Sequence, residues 1–386
     1  MKNFAQRFID VKTRIAGNRE KSGFEWSFGM PREELARMTM PPTYIARVLS
    51  QIDFAIKLNE EAGGLYTHHI REALTLMENV LDQEGTVTQT AAAETEAALL
   101  PMEKAAKEYE VLCVAHAHID MNWMWGYQET VAATLATFRT MLNLMSEYKD
   151  FTFSQSQASV YRIVEEYDPA MMEEIKARIQ EGRWEVTASA WVETDKNMPD
   201  TESLIRHIQH THDYMEQVWG VDRSCLNIDF SPDTFGHSLH IPEIDQFGGV
   251  RYMYHCRSLT TKDVLYRWKA PSGAELLVYR EPYWYNGGIV SDLGTGAIAI
   301  SHHAGGLKTS MFMYGVGNHG GGPTRRDVER ILDMQQWPVF PKVSFGSLTE
   351  YFRRAEAVRE KLPVREGELN AIFTGCYTTQ SRIKRG

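Results

Sequence analysis

Hydrophobic positions follow a helical repeat in the first part of the chain. In the helix predicted over residues 44–61, one face carries Ile45, Val48, Leu49, Ile52 and Ile56. The segment 70–81 repeats the pattern. The stretch 86–98, TVTQTAAAETEAA, is low in complexity and is typical of a linker or an exposed helix. These patterns predict an N-terminal helical region over residues 1–105.

After residue 110, short apolar runs of strand type alternate with amphipathic helical segments. The predicted strands are 111–115, 151–153, 184–188, 226–228, 252–254, 276–279, 311–316 and 343–345. One helix is predicted to begin at Asp168-Pro169 and end before Gly182, and another runs from about Asp200 to Trp219. This alternation is typical of parallel βαβ units. Seven or eight such units favour a barrel over an open sheet, although periodicity does not settle closure.

Composition and charge narrow the class of partner. The chain has 386 residues, 43% hydrophobic and 24% charged, which is typical of a soluble globular protein. A net charge of −10, spread along the chain, argues against nucleic acid or an anionic membrane as partner. No signal-peptide core or membrane-length apolar run occurs, and the four cysteines fit buried free thiols. We therefore expect a cytoplasmic protein without a membrane partner; a homo-oligomer stays open.

The strongest chemical signal is the segment 111–125, VLCVAHAHIDMNWMW. Residues two apart in an extended chain point the same way, so His118 and Asp120 can bind one ion. Imidazole and carboxylate suit zinc and other borderline divalent metals. An isolated HxH is more often a pair of polar residues at a strand end, but the aspartate in phase and the aromatic residues that follow favour a metal. His116 fits a supporting or structural role equally well.

A second signal lies in the segment 225–238, CLNIDFSPDTFGHS, where a strand runs into a polar loop. Asp233 on that loop could be a metal ligand, a nucleophile or both. Taken alone it fits a turn; taken with HAHID it fits catalysis. His207 and His210, three residues apart on a predicted helix, fit a solvated helix face better than a metal site.

These motifs resemble those of glycoside hydrolase family 38, the zinc-dependent α-mannosidases. AHAHIDMNWMW resembles the family's HxHxDxxW signature, and SPDTFGHS resembles its nucleophile segment. Three further stretches are similar to bacterial and vacuolar-type members: GRWEVTASAWVETDKNMPDTESLIRH, GVGNHGGGPTRRD and the terminal GELN…TGCYTTQSRIKR. The similarity runs from about Val111 to Arg385 in the same order.

The resemblance implies one Zn²⁺ per chain, held by His118, Asp120 and Asp233. Asp233 would also be the nucleophile that forms the covalent mannosyl-enzyme. The implied substrate contacts are Trp123, Phe235, Arg257 and Tyr285. The implied substrate is an α-mannoside or a mannose-containing oligosaccharide.

The chain departs from the family pattern in two places. Animal members place the general acid in an aspartate pair, where this chain reads Leu369-Asn370-Ala371. Glu368 is the nearest carboxylate, and Asp195 is an alternative. The family's fourth zinc ligand is a histidine in a helical domain after the barrel, and this chain stops at Gly386. We therefore expect an N-terminal fragment without full activity, in which residues 366–386 begin a middle domain.

The sequence thus predicts an α/β protein with a seven-stranded parallel (β/α) barrel over residues 106–365. Downstream helical-bundle and β-sandwich domains would be absent. The predicted function is that of a zinc-dependent retaining α-mannosidase of carbohydrate catabolism. Two alternatives are a zinc-dependent polysaccharide deacetylase-like hydrolase, which attacks through metal-bound water, and a non-catalytic carbohydrate-binding module.

Overall fold

The computed structural model describes residues 3–17, 43–257, 262–317, 321–370 and 373. The chain divides into two compact units. The first comprises Met1–Val111, Val290–Ala299 and Arg330–Val343. The second comprises Leu112–Ile289, Ile300–Glu329 and Ser344–Gly386. Most of the predicted middle-domain segment 366–386 lies outside the described residues.

The described ranges contain both helices and strands. The α-helices are α1 (Phe4–Gly17), α2 (Thr43–Glu61), α3 (Thr67–Glu84), α4 (Gln89–Leu99), α5 (Glu103–Ala106), α6 (Tyr127–Glu147), α7 (Ala158–Tyr167), α8 (Pro169–Gln180), α9 (Thr201–Trp219), α10 (Ile241–Phe247), α11 (Leu293–His302), α12 (Arg325–Met334) and α13 (Leu348–Ala355). Short 3₁₀ helices are Leu100–Met102, Arg223–Cys225 and Glu356–Lys361. The strands are β1 (Glu110–Ala115), β2 (Phe153–Gln155), β3 (Trp184–Val186), β4 (Ile228–Ser231), β5 (Tyr252–His255), β6 (Leu265–Lys269), β7 (Glu275–Arg280), β8 (Thr309–Tyr314), β9 (Lys342–Gly346) and β10 (Val364–Glu366).

In the first unit, the predicted helices over 44–61 and 70–81 are confirmed as α2 and α3. The buried stripe of α3 consists of Ile70, Ala73, Leu74, Met77 and Leu81. Most of the low-complexity stretch 86–98 lies in the helix α4, so the helix alternative holds and the linker does not. Thr88 begins α4 because its side chain accepts a hydrogen bond from the N–H of Ala91.

In the second unit, two helices begin and end where the sequence indicates. The carboxylate of Asp168 accepts a hydrogen bond from the N–H of Met171 and begins α8. Asp200 does the same for α9, which ends at Gly220 in the left-handed conformation. Both helices predicted in this unit are confirmed.

The strands pair in three sheets within the described residues. The orders are β8-β1-β9, β2-β3 and β10-β6-β7-β5-β4. The pairs β2-β3, β4-β5, β5-β7 and β6-β10 are parallel, and β6-β7 is antiparallel. A parallel bridge between His116 and Ser154 continues from the end of β1 to β2. The carboxyl ends of neighbouring parallel strands thus face one edge.

The α/β class with parallel pairing is confirmed, but a closed seven-stranded barrel is not. Among the residues that the structure describes, the hydrogen-bonded pairing does not return to its starting strand. All eight predicted strands are present within a few residues. Two were not predicted: β6, which forms a hairpin with β7, and β10, which lies on the edge of the same sheet.

An aromatic core lies around the strands β4, β5 and β7. The rings of Phe230 and Tyr254 stack with centroids 4.6 Å apart, and Tyr254 stacks on Tyr279 at 5.8 Å. All three residues belong to one buried cluster. Rings of this size contribute much of the free energy gained by burial.

Three of the predicted free thiols can be placed. Cys113 is buried, Cys256 is partly buried and Cys225 is exposed. The predicted burial of Cys225 is wrong, because this residue lies in a 3₁₀ turn before β4 and not in the strand. Cys376 lies outside the described residues. In the part of the chain that the structure describes, no helix has the length and hydrophobicity needed to cross a membrane.

Candidate metal and catalytic site

Two strand ends bring His118, Asp120 and Asp233 together. The apolar strand β1 leads into the segment with His118 and Asp120, and β4 leads into the loop with Asp233. One nitrogen or oxygen atom from each of the three residues lies within 4.8 Å of the others. One imidazole and two carboxylates at this separation could hold a metal ion.

His118 is the most buried member of this group, with 3% of its side chain exposed. Its Nε2 lies 3.1 Å from Oδ1 of Asp120. Burial by itself lowers the pKa of His118, but the hydrogen bond to Asp120 and the charges of Glu193, Asp120 and Asp233 raise it above its ordinary value. The negative charge around this ring would equally favour a bound cation.

Asp233 is held by two of the predicted substrate-contact residues. Its Oδ1 accepts a hydrogen bond from Nε of Arg257, and its side chain also hydrogen-bonds with Tyr285. Burial by itself lowers the pKa of Arg257, but the hydrogen bond to Asp233 raises it above its ordinary value. The Arg257 guanidinium also lies over the rings of Phe235 and Trp284, with centroids at 5.2 and 4.9 Å.

The three residues border a cleft of about 290 Å³. Its walls are the segments 118–121, 192–195 and 233–235, together with Gln157. Phe235 and Asp195 are therefore part of the wall. This volume is near the lower end of the range of small-ligand pockets, and the walls combine carboxylates with apolar groups.

Glu193 belongs to the site but was not predicted from the sequence. Its Oε1 accepts hydrogen bonds from the backbone N–H of Asp233 (2.6 Å) and of Thr234 (2.6 Å). Burial raises the pKa of Glu193. The charge of His118 lowers this pKa and the charge of Asp233 raises it, so that the pKa lies above its ordinary value. The segment WVETDKN was recognised for its family resemblance, yet nothing in it indicates a carboxylate that binds the loop of Asp233.

Two side chains hold the segment that carries Glu193. Gln157 has a left-handed backbone (φ 66°), and its Oε1 accepts a hydrogen bond from the N–H of Glu193 (3.0 Å). Nε2 of His207 accepts a hydrogen bond from the N–H of Trp191 (2.9 Å). Burial and the nearby Lys196 lower the pKa of His207 to about 4, so its ring is a neutral acceptor at pH 7.

The two helix histidines differ from each other. The prediction of a solvated helix face is wrong for His207, which is half-buried and bonded to the backbone. His210 is exposed, and its ring packs against Trp191 with centroids 5.0 Å apart. The i, i+3 spacing could not separate these roles, because the partner segment lies sixteen residues away from His207.

Of the remaining predicted residues, Asp195 lines this cleft, whereas Trp123 and Glu368 do not. Trp123 is 45% exposed, packs edge-on against Trp125 and is not part of the cleft wall. Glu368 is exposed, and its Oε2 accepts a hydrogen bond from Nδ2 of Asn370 (3.0 Å). Asp195 lines the cleft, and its Oδ1 accepts hydrogen bonds from two backbone N–H groups.

His116 has structural contacts. Its Nε2 lies 3.1 Å from Oγ of Ser156, and its ring packs on Phe230 with centroids 4.4 Å apart. Burial and the neighbouring His118 lower its pKa well below the ordinary value, so the ring is neutral. These contacts favour the structural alternative for His116.

A buried ion pair also stabilises the segments that carry Glu193 and Asp233. Nζ of Lys196 pairs with Oδ2 of Asp229, and 5–6% of each side chain is exposed. Oγ of Ser231 donates to Oδ1 of Asp229 (2.6 Å). Burial and the charge of Asp229 raise the pKa of the adjacent Asp245 well above its ordinary value. This cluster connects the segment after Glu193 with the strand before Asp233.

Known proteins similar to this chain are α-mannosidases. Alpha-mannosidase G of Dictyostelium discoideum is 31% identical over 286 residues, which cover 72% of this chain and 26% of that protein. Alpha-mannosidase 2C1 of Homo sapiens is 29% identical over 293 residues, covering 72% and 27%. The matched region thus spans about a quarter of the length of these curated relatives.

The fold is also similar to that of a solved structure. An alpha-mannosidase from Enterococcus faecalis V583 aligns with a TM-score of 0.60 at 18% identity, covering 68% of this chain and 31% of that chain. The sequence profile described as "Glycosyl hydrolases family 38 N-terminal domain" matches residues 108–368, which include both strand ends and the cleft. The chain therefore belongs to glycosyl hydrolase family 38.

Proposed function

We propose that this chain contributes the zinc site and the nucleophile of a retaining α-mannosidase. The observation that carries the proposal is the convergence of His118, Asp120 and Asp233 within 4.8 Å, in a cleft of a family 38 chain. One imidazole and two carboxylates are a suitable donor set for zinc, and three protein ligands with an open position are typical of catalytic zinc sites. When bound, zinc would supply a Lewis acid for the sugar hydroxyls.

The proposed nucleophile is Asp233. In the first displacement a carboxylate oxygen forms a bond to the anomeric carbon, the bond to the leaving oxygen breaks, and a carboxylic acid protonates that oxygen. Water then releases the sugar from Asp233, so the anomeric configuration is retained. Arg257 and Tyr285 support this role because both bind the Asp233 side chain and hold it in one orientation.

Two carboxyl groups are candidates for the general acid. Glu368 is the residue nearest to the family position in sequence, and Asp195 is the alternative. A proton donor has to reach the leaving group, and Asp195 lines the cleft whereas Glu368 does not. The position of Asp195 supports it as the stronger candidate of the two.

The remaining predicted substrate contacts have unequal support. Phe235 forms part of the cleft wall beside Asp233, which supports its contact with the sugar. Trp123 lies outside the wall with 45% of its surface exposed, which gives its proposed contact with the sugar less support. The proposed substrate is accordingly an α-mannoside or a mannose-containing oligosaccharide.

The test uses the purified full chain. We expect about one zinc per chain by elemental analysis, hydrolysis of 4-nitrophenyl α-mannoside but not of the β-anomer, and α-mannose as the first product in proton NMR spectra. A mechanism-based fluorinated mannosyl donor should label Asp233. Bound zinc with release of acetate from N-acetylated sugars, and no label, would instead support the deacetylase-like alternative. A chain that binds mannosides without zinc or turnover would support the binding module.

A further inference from the structure

The carboxylate of Glu193 reaches both strand ends of the proposed metal site. Its Oε1 accepts hydrogen bonds from the N–H groups of Asp233 and Thr234, each at 2.6 Å, and from the Thr234 hydroxyl at 2.9 Å. Its Oε2 lies 3.6 Å from Nδ1 of His118, and 13% of the side chain is exposed. One side chain therefore contacts the loop of one ligand and the ring of another.

The two ring nitrogens of His118 face different carboxylates. Nε2 lies beside Asp120, and Nδ1 lies beside Glu193. A histidine binds a metal through the nitrogen that carries no proton, and a carboxylate near the other nitrogen retains the proton there. Nε2 hydrogen-bonds with Asp120 at 3.1 Å, where a metal ion would take the place of the shared proton, and the Glu193 carboxylate faces the opposite nitrogen of the ring.

We propose that Glu193 is a positioning residue of the metal site. It places a carboxylate on the Nδ1 side of the His118 ring and fixes the backbone at Asp233, so that both ligands face one ion. The inference rests on the proposed function for the identity of the metal. It assigns a role to a residue outside the ligand set.

Gln157 supports this role because it prevents the segment of Glu193 from moving independently. Its Oε1 accepts a hydrogen bond from the N–H of Glu193 (3.0 Å), and its Nε2 donates to the carbonyl of Ile119 (2.9 Å). Ile119 lies between His118 and Asp120. The Glu193 carboxylate is thus tied to the same segment whose histidine it faces, and Gln157 itself is 5% exposed.

Glu185 offers a matched control. Its carboxylate also accepts hydrogen bonds from two consecutive backbone N–H groups, those of Leu348 (2.9 Å) and Thr349 (2.8 Å), and from one hydroxyl, that of Ser154 (2.5 Å). It is not part of the cleft wall. Glu193 accepts its three hydrogen bonds through Oε1 alone, whereas Glu185 uses both oxygens, so a Glu→Gln substitution removes one charge at either position and disturbs the hydrogen bonds at least as much at Glu185.

The experiment measures zinc affinity by competition with a chromogenic chelator, and the visible absorption of the cobalt-substituted protein. We expect E193Q to weaken zinc binding about 10- to 100-fold and to change the cobalt spectrum, as loss of a carboxylate behind a ligating histidine does. E185Q should retain zinc affinity within about twofold and the wild-type spectrum. Both variants should unfold at a lower temperature than the wild type, so a general loss of stability cannot produce the difference.

The inference is overturned if E193Q binds zinc as tightly as the wild type with an unchanged cobalt spectrum, or if E185Q weakens binding equally. If E193Q does not fold, E193D serves instead, since it keeps the charge but withdraws it from the Nδ1 side, and the same loss of affinity is expected. A wild-type chain that takes up no zinc also overturns the inference. Failure of the proposed function is a separate outcome: zinc bound with the expected dependence on Glu193, but no hydrolysis of mannosides.

Discussion

Charged residues are used differently by the N-terminal helices and by the strand ends of the second unit. In the helical unit, Arg7 pairs with Glu78 at 2.7 Å and Arg14 with Asp82 at 2.6 Å, on helix surfaces that stay partly exposed. At the strand ends, His118 and the Lys196–Asp229 pair are almost completely buried. The helical pairs keep much of their hydration, whereas the strand-end groups have lost it.

This difference in burial changes what a charged group costs in free energy and what it can contribute to function. An exposed ion pair costs little to form and contributes little to the free energy of unfolding. A buried charge costs several kcal/mol in lost hydration unless hydrogen bonds compensate for it. The buried charges around Asp233 are compensated by one another and by backbone N–H groups, and perturbed groups concentrated in a cleft are typical of functional sites.

The largest effect is expected at Asp233. D233N keeps the shape of the side chain but removes the nucleophile, so kcat/KM for an aryl α-mannoside should fall at least about a thousand-fold, equivalent to about 4 kcal/mol. The melting temperature should change far less than the rate. Initial rates and a thermal denaturation curve on the same preparation check this. A variant with more than a tenth of wild-type activity would remove Asp233 from its proposed role.

The next effect is expected at Glu281, where burial raises the pKa to about 7 from an ordinary 4.5. Between these two pKa values the Glu281 carboxyl is protonated in the folded chain and ionised in the unfolded chain. The contribution of this group to stability is therefore fully present below pH 4.5 and is lost as the pH rises to about 7. The decline from this group is about 3 kcal/mol. E281Q cannot ionise and still accepts the hydrogen bond from Tyr254.

Urea denaturation at pH 5 and pH 8 measures this difference. The unfolding free energy of E281Q should fall less between the two pH values than that of the wild type. Equal slopes for both proteins would mean that Glu281 is ionised in the folded chain and that the buried carboxyl is not the source of the pH dependence.

The smallest effects are expected in the helical unit. R7M removes a two-pronged ion pair and should lower the free energy of unfolding by about 1 kcal/mol or less, and R14M by less still because that pair is more exposed. Chemical denaturation in low and high salt checks both. A loss above about 2 kcal/mol in either variant would show that the helical pairs act as strongly as buried ones.

The sequence predicts those parts of the fold that depend on local patterns. β1 and the helices α2, α8 and α9 could be predicted because apolar repeats, capping aspartates and terminal glycines act within a few residues. β10 could not, because Val364–Glu366 is an exposed edge strand with no apolar repeat. β6 combines buried and charged positions, and its pairing with β7 and β10 makes it a strand.

The residues of the site likewise divide into those that the sequence predicts and those that it does not. His118, Asp120 and Asp233 follow the carboxyl ends of the recognisable strands β1 and β4, where functional residues of α/β proteins are expected, but β1 and β4 lie in different sheets, so the sequence does not fix the distance between them. Glu193 acts on backbone N–H groups forty residues away, and such a contact leaves no pattern of side chains. His207 was misjudged for the same reason. The proposed metal ligands can be identified from motifs, whereas residues that hold the backbone in place require coordinates.

Gly315 lies against the segment that follows β1 and carries the two histidines. Its φ is +149°, and a Cβ atom there would lie 1.8 Å from the carbonyl oxygen of His116. Any larger residue must displace the chain two positions before His118. In a saturation scan scored by turnover, Gly315 would therefore rank with the reactive residues although it has no functional group. A parallel scan scored by protein abundance would expose it as a packing position.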